Sequence, residues 1–311
     1  MQGILFTLAQ DFLQYLEAER GRSRLTTSSY GSDLRLFFTH LEADGQADEA
    51  ASVNLQNARS WIVQMHRRGL SSNSVARRVC ALKSFARFLH DQGHLELDGL
   101  ARLQCPTRER TLPTYLTQEE LKRLLDAALQ QRCAYGAFRD YAMVSVLVFT
   151  GIRRGELLRL RVSDADLGEC TLRVTKGKGN KTRIVPLVAE VCQAIQDWLT
   201  FRRTRGHDHL FTTTRGNRIH PSRMQTIWRC ILERSGVTRP GVTLHTLRHS
   251  MATLLLQSGR ADLVAIQHLL GHSRLDTTGI YLHVVPGQLR GAVEAHPLAA
   301  ARGPANSAGS A

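Results

Sequence analysis

Five short stretches of this sequence carry side chains suited to holding a phosphate or moving a proton. The first is Thr150-Gly-Ile-Arg-Arg-Gly-Glu156. A glycine turn followed by two arginines is a poor way to build a core. Arginine presents a planar fork of donors that matches two phosphate oxygens. Glu156 is placed to hold the Arg153 guanidinium, although a pair of surface arginines at a helix start has the same spelling. The second stretch is His245-Thr-Leu-Arg248-His249. Its three-residue spacing puts His245 and Arg248 on one helix face, so one can exchange a proton while the other clamps charge. The third, Leu269-Leu270-Gly271-His272-Ser273, reads as a helix stopped by glycine with a histidine just beyond. The fourth, Thr277-Thr278-Gly279-Ile280-Tyr281, sets a tyrosine among β-branched and small residues. The fifth is Lys178, in Lys176-Gly177-Lys178-Gly179-Asn180, where a lysine on a turn can reach a DNA groove or stay solvated. Each stretch has an ordinary structural reading when taken alone.

Elements with distinct signatures must position these groups. Phe138 to Phe149 is a long apolar run that predicts a buried helix ending at Thr150-Gly151. Around Cys170–Thr175 and Lys181–Val185 the pattern alternates, which predicts two strands joined by a glycine-rich hairpin with Lys178 at its tip. Helical patterns return near Val188–Arg203, Pro221–Ser235, His245–Ser258 and Leu263–Leu270, with Leu244, Leu247 and Met251 anchoring the helix of His245 and Arg248. Thr117-Gln-Glu-Glu120 has the form of a capping box, opening a helix with Leu121, Leu124, Leu125 and Ala128 on its apolar face.

Upstream, the sequence is helical throughout. Leu5, Leu8, Phe12 and Leu16 repeat at helical spacing, as do Tyr30, Leu34, Phe37 and Leu41. A third helix spans about Leu55 to Arg68 and closes at Gly69. A fourth begins after Ser71 with Val75, Val79, Leu82, Ala86 and Leu89 inward. Residues 1–104 hold twelve Lys/Arg against eleven Asp/Glu, yet no acid occurs between Ala51 and His90. That span carries Arg59, Arg67, Arg68, Arg77, Arg78, Lys83 and Arg87. Solvated surfaces ordinarily mix both signs, whereas a one-sign face suits a DNA backbone, where each phosphate contact releases counterions.

The whole chain has 311 residues, enough for two domains, and a formal charge of +14. Such a charge draws polyanions, nucleic acid before an anionic membrane. The N-terminus reads as an amphipathic helix without a basic leader, and no stretch has the length of a membrane span. The expected location is the cytoplasm. Six scattered cysteines form no C-x-x-C pair and read as reduced thiols. His207 and His209 lack a third partner that would suggest a metal.

Taken in order, Arg153, Lys178, His245, Arg248, His272 and Tyr281 resemble the active-site series of the tyrosine recombinases, the family of phage integrases and Xer-type enzymes. The matching strings are TGIRRGEL, GKGNKTRIVPL, HTLRHSMATLLLQSG, LLGHS and TTGIYLHV. Gly155 stands where serine is common, and Arg154 adds a charge beside Arg153. The resemblance implies a mainly α protein with a small β-sheet (α+β), forming a C-shaped DNA clamp. Its parts are a helical core-binding domain at 1–104, a linker at 105–113 bounded by prolines, a catalytic domain at 114–298 and a disordered tail at 299–311. It implies Tyr281 as nucleophile, Arg153, Arg248 and His272 on the phosphate, Lys178 as general acid and His245 assisting proton transfer. No cofactor and no metal are expected. Double-stranded DNA is the implied partner, with Arg67, Arg68, Arg77, Arg78, Lys83 and Arg87 as contacts. The stretch GQLRGAVEAHP at 287–297 looks like the helix that docks subunits into a homotetramer or paired-recombinase assembly. A type IB topoisomerase-like enzyme shares this chemistry, but as a monomer it needs no docking arm. A non-catalytic DNA-binding regulator needs Arg and Lys but not Tyr281.

Overall fold

The computed structural model describes residues 3–96, 99–105, 114–175, 182–259 and 261–271. Lys178, His272 and Tyr281 therefore lie outside the described residues, as do the hairpin tip, nearly all of the linker, the segment at 287–297 and the tail. The chain divides into two compact units, Met1–Thr111 and Leu112–Ala311.

The first unit packs four helices: α1 (Ile4–Ala18), α2 (Arg24–Ala43), α3 (Leu55–Arg67) and α4 (Ser72–Asp91). Three of them start on a side-chain cap, Ser71 among them as the sequence suggests. Ser23 accepts from the Thr26 N–H, Asn54 from Asn57 and Ser71 from Ser74, each satisfying an orphan donor of the first turn. Their apolar faces meet in an aromatic core. Phe12 and Phe85 have ring centroids 5.5 Å apart, Phe37 and Trp61 5.1 Å, and all four rings are buried. Removing each from water stabilises the fold by roughly 1.5–3 kcal/mol.

The second unit is helical around one small sheet. Its helices are α5 (Gln118–Leu129), α6 (Ala134–Thr150), α7 (Arg154–Leu157), α8 (Ala189–Phe201), α9 (Pro221–Ser235), α10 (Leu244–Gln257) and α11 (Leu263–Leu270). The expected capping box is formed: the Thr117 hydroxyl accepts from the Glu120 N–H at 3.2 Å, and the Glu120 carboxylate accepts from the Thr117 N–H at 2.8 Å. Helix α6 is buried along nearly its whole length and packs against α5, α8 and α10. Trp198 of α8 is fully buried, and its indole N–H donates to the Leu210 carbonyl at 2.8 Å, which removes the cost of burying that polar group.

The sheet has three antiparallel strands, β1 (Ala165–Asp166), β2 (Thr171–Thr175) and β3 (Thr182–Pro186). Leu172 pairs with Val185 and Val174 with Arg183. Leu172, Val174 and Val185 are buried, so the alternation seen in sequence is the inward face of this hairpin. Strand β1 and the one-turn helix α7 carry too few residues to show a period, and sequence reading did not find them. Among the described residues, no helix is long and apolar enough to cross a membrane.

Candidate active site

The site is built on the ends of helices. Helix α6 stops at Gly151, which adopts φ +60° and caps the helix in the left-handed region. Two residues later Arg153 is the N-cap of α7, and its own N–H donates to Glu156 at 2.8 Å. The buried α6 thus delivers Arg153 to a fixed turn, with the side chain 39% exposed. Glu156 is 3% exposed and accepts one hydrogen bond from the Arg153 guanidinium at 3.3 Å. Arg183 of β3 grips the same carboxylate with two nitrogens, at 3.0 and 2.9 Å. Burial by itself would raise the Glu156 carboxyl. The Arg183 hydrogen bonds, the Arg153 N–H and the two guanidinium charges outweigh it and hold the group at about 2. Glu156 is therefore a fixed anion throughout the physiological range.

Helix α10 brings in the second pair. Leu244, Leu247 and Met251 are buried, as their spacing requires. His245 and Arg248, although three residues apart, have different surroundings. His245, near the positive end of the helix, keeps only part of its surface in water. Arg248 is 6% exposed, and its fork donates to the Gly151 carbonyl at 2.7 Å and the Leu270 carbonyl at 2.8 Å. Those carbonyls belong to the terminal turns of α6 and α11, where helices leave acceptors unpaired and carry partial negative charge. Arg248 thus staples the turn that precedes Arg153 to the turn that precedes His272. Partial burial, then the charges of Arg248, Arg154 and Arg153, push the His245 imidazole below its ordinary value. A neutral imidazole accepts a proton, so at neutral pH His245 is in the form a general base requires.

In sum, the described residues here supply four guanidinium groups, those of Arg153, Arg154, Arg183 and Arg248, against the single carboxylate of Glu156. Such an arrangement binds an anion and stabilises negative charge developing on it. Comparisons with known proteins decide the kinship of the chain as a whole. The model of the phage integrase family matches residues 114–287, and that of the phage integrase N-terminal SAM-like domain matches residues 9–93. The chain belongs to the phage integrase family. It is a tyrosine recombinase of Xer type. Tyrosine recombinase XerC of Mycobacterium sp. (strain JLS) is 38% identical over 298 residues, covering 93% of this chain and 98% of that one. Tyrosine recombinase XerD of Halalkalibacterium halodurans is 33% identical over 289 residues, covering 90% and 94%. Among solved structures, XerA recombinase is 30% identical with a TM-score of 0.52, covering 94% of this chain and 98% of that one. XerH site-specific recombinase, in a post-cleavage complex with palindromic difH substrate, is 25% identical with a TM-score of 0.72, covering 92% and 84%.

Within this tyrosine recombinase, the sequence reading missed Arg183. A signal for it exists. Arg183 and Val185 are two apart on one strand and so share a face. An arginine on the inward face of a strand needs a buried anion, and Glu156 is that anion. The six basic residues chosen on α3 and α4 fare unequally. Arg67, Arg68, Arg77 and Arg87 are exposed, Arg87 with its Nε 4.0 Å from Asp91. Arg77 and Arg78 also flank Asp33, a carboxylate of α2 that is 2% exposed, Arg77 by direct hydrogen bond and Arg78 with Nε at 3.7 Å. Lys83 donates to the Leu103 carbonyl at 2.6 Å. Lack of acids along one stretch of sequence did not foretell an acid reaching it from another helix.

Gly151 admits no side chain. A Cβ there would stand 2.4 Å from the Met251 methyl and 3.0 Å from a Leu270 methyl, in a conformation that L-residues rarely adopt. Gly151→Ala is expected to destabilise this unit by about 1–2 kcal/mol, chiefly from backbone strain, since the two methyls end flexible side chains that can shift. Urea unfolding of the variant beside the parent protein measures it, whereas Gly155→Ala, with only the Arg159 guanidinium nearby at 3.6 Å, is expected to be nearly neutral.

Proposed function

We propose that this tyrosine recombinase performs site-specific recombination by breaking and rejoining DNA through a 3′-phosphotyrosine intermediate on Tyr281. The observation that carries the reading is that the Arg248 fork, one turn from His245 on α10, ties the end of α6 beside Arg153 to the end of α11. In this scheme the Arg153 and Arg248 guanidinium groups hold the non-bridging oxygens, the work that a metal performs in many nucleases. His272 adds a hydrogen bond. The Tyr281 oxygen attacks phosphorus as its proton passes to His245, and the bond from phosphorus to the 5′ oxygen breaks. Lys178 protonates that departing oxygen. The tyrosyl ester retains the bond energy, so a 5′ hydroxyl from a second duplex attacks it and restores Tyr281 without a nucleotide cofactor.

The residues at 1–104 act as the core-binding domain and those at 114–298 as the catalytic domain, joined through 105–113. Arg67, Arg68 and Arg87 are the best placed of the basic residues to meet phosphates directly. Four subunits, linked through the segment at 287–297, carry out two rounds of exchange in the cytoplasm. Relatives named as tyrosine recombinases along nearly the whole chain support recombination over supercoil relaxation. Capture from cells tests the reading. The protein is expressed, denatured and isolated with any attached DNA, which is then sequenced. Adducts at one short recurring sequence are expected, and binding with no covalent DNA above background would contradict the proposal.

A further inference from the structure

The Arg183 guanidinium touches two of the elements that carry the site and belongs to the strand that follows a third. Its two terminal nitrogens saturate Glu156 at 3.0 and 2.9 Å, while its Nε donates to the Leu269 carbonyl at 3.0 Å. Leu269 lies in the last turn of α11, next to the Leu270 carbonyl that Arg248 holds. Arg183 itself is the second residue of β3, five positions after Lys178. One planar group therefore joins α7, which begins beside Arg153, the strand leaving the Lys178 hairpin, and the turn before His272.

Its hold on Glu156 also governs Arg153. A carboxylate offers about four acceptor positions, and here Arg183 takes two with short, paired bonds. The Arg153 N–H takes a third at 2.8 Å, while its guanidinium gets only one longer contact at 3.3 Å and its side chain stays substantially exposed. With Arg183 gone, a buried, half-compensated carboxylate would draw the Arg153 fork onto itself, because leaving such a charge unpaired costs more than any surface contact returns. The guanidinium meant for a phosphate would then be spent on Glu156.

We propose that Arg183 is a positioning residue for strand cleavage: it saturates Glu156 so that the Arg153 fork remains open to the scissile phosphate, and it pins β3 to the end of α11. The proposal rests on the phosphotyrosine reading above. The test uses the full chain and an oligonucleotide duplex carrying the sequence recovered from the cellular adducts, nicked beside the cleavage position to trap product. Single-turnover cleavage and duplex affinity are measured for the parent protein, Arg183→Gln, Arg183→Lys, Glu156→Gln and the Glu156→Gln/Arg183→Gln double variant. A displaced catalytic group costs on the order of 100-fold in rate. Arg183→Gln is expected to lose about that much in cleavage while its affinity changes less than about threefold. Arg183→Lys restores the charge but not the paired geometry and recovers part of the rate. Because Arg183 acts through Glu156, the double variant is expected to be no slower than Arg183→Gln, a non-additivity that two independent structural losses do not give. Parent-like cleavage by Arg183→Gln, or rate losses that multiply in the double variant, would overturn the proposal. If Arg183→Gln does not fold, Arg183→Lys and Glu156→Gln decide, since parent-like cleavage by both would overturn it equally. A parent protein that forms no adduct would instead bring down the phosphotyrosine reading itself.

Discussion

Arg248→Gln is expected to lower strand cleavage by about 10²–10³-fold, the usual cost of removing one donor to developing oxyanion charge, and to weaken the fold as well. The second effect follows from burial. Arg248 fills the unpaired carbonyls of Gly151 and Leu270, so a shorter neutral side chain abandons two acceptors in the interior. At roughly 1–3 kcal/mol for each unsatisfied group, the second unit is expected to lose about 2–6 kcal/mol. Urea unfolding and single-turnover cleavage at a temperature where the variant is fully folded separate the two effects. Arg248→Lys sharpens the comparison. It keeps the charge, but a lysine ammonium has no planar fork with which to span two carbonyls. A folded Arg248→Lys protein cleaving like its parent would mean that Arg248 is a structural staple only.

Tyr281→Phe is the second large effect. The substitution removes one oxygen and leaves ring volume and charge as they were, so duplex affinity is expected to stay within about twofold. Covalent product is expected to vanish, since no other nucleophile in the scheme can form the tyrosyl ester. Affinity by fluorescence anisotropy and product on denaturing gels are read from the same preparation. Loss of affinity along with product would point to Tyr281 as part of the binding surface instead.

How much of this was legible in the sequence depends on range. The caps at Ser71 and Thr117, the buried α6 and the β2–β3 pairing are encoded within a turn or two, where propensity and period speak directly. The grouping of Arg153 with His245 and Arg248 came from the order of motifs, since residues about ninety apart have no local sign of meeting. What escaped was long-range and electrostatic. Asp33 reaches Arg77 and Arg78 across forty-odd positions, and Glu156 reaches Arg183 across twenty-seven. Sequence counting treats such charges as separate, and only packing makes them pairs. Short elements escaped for a different reason: the two residues of β1 and the four of α7 are held by their neighbours rather than by any pattern of their own.

Mapping the attachment point shows whether DNA is held by a phosphate ester on one tyrosine. The trapped DNA–protein complex is digested with protease and nuclease, and the peptide that retains a nucleotide is sequenced by mass spectrometry. The expected product is a single modified peptide spanning Thr277–His283, with a 3′-phosphonucleotide on Tyr281 and a free 5′ hydroxyl on the released strand. A nucleotide on any other residue, or a 5′-linked adduct, would contradict it.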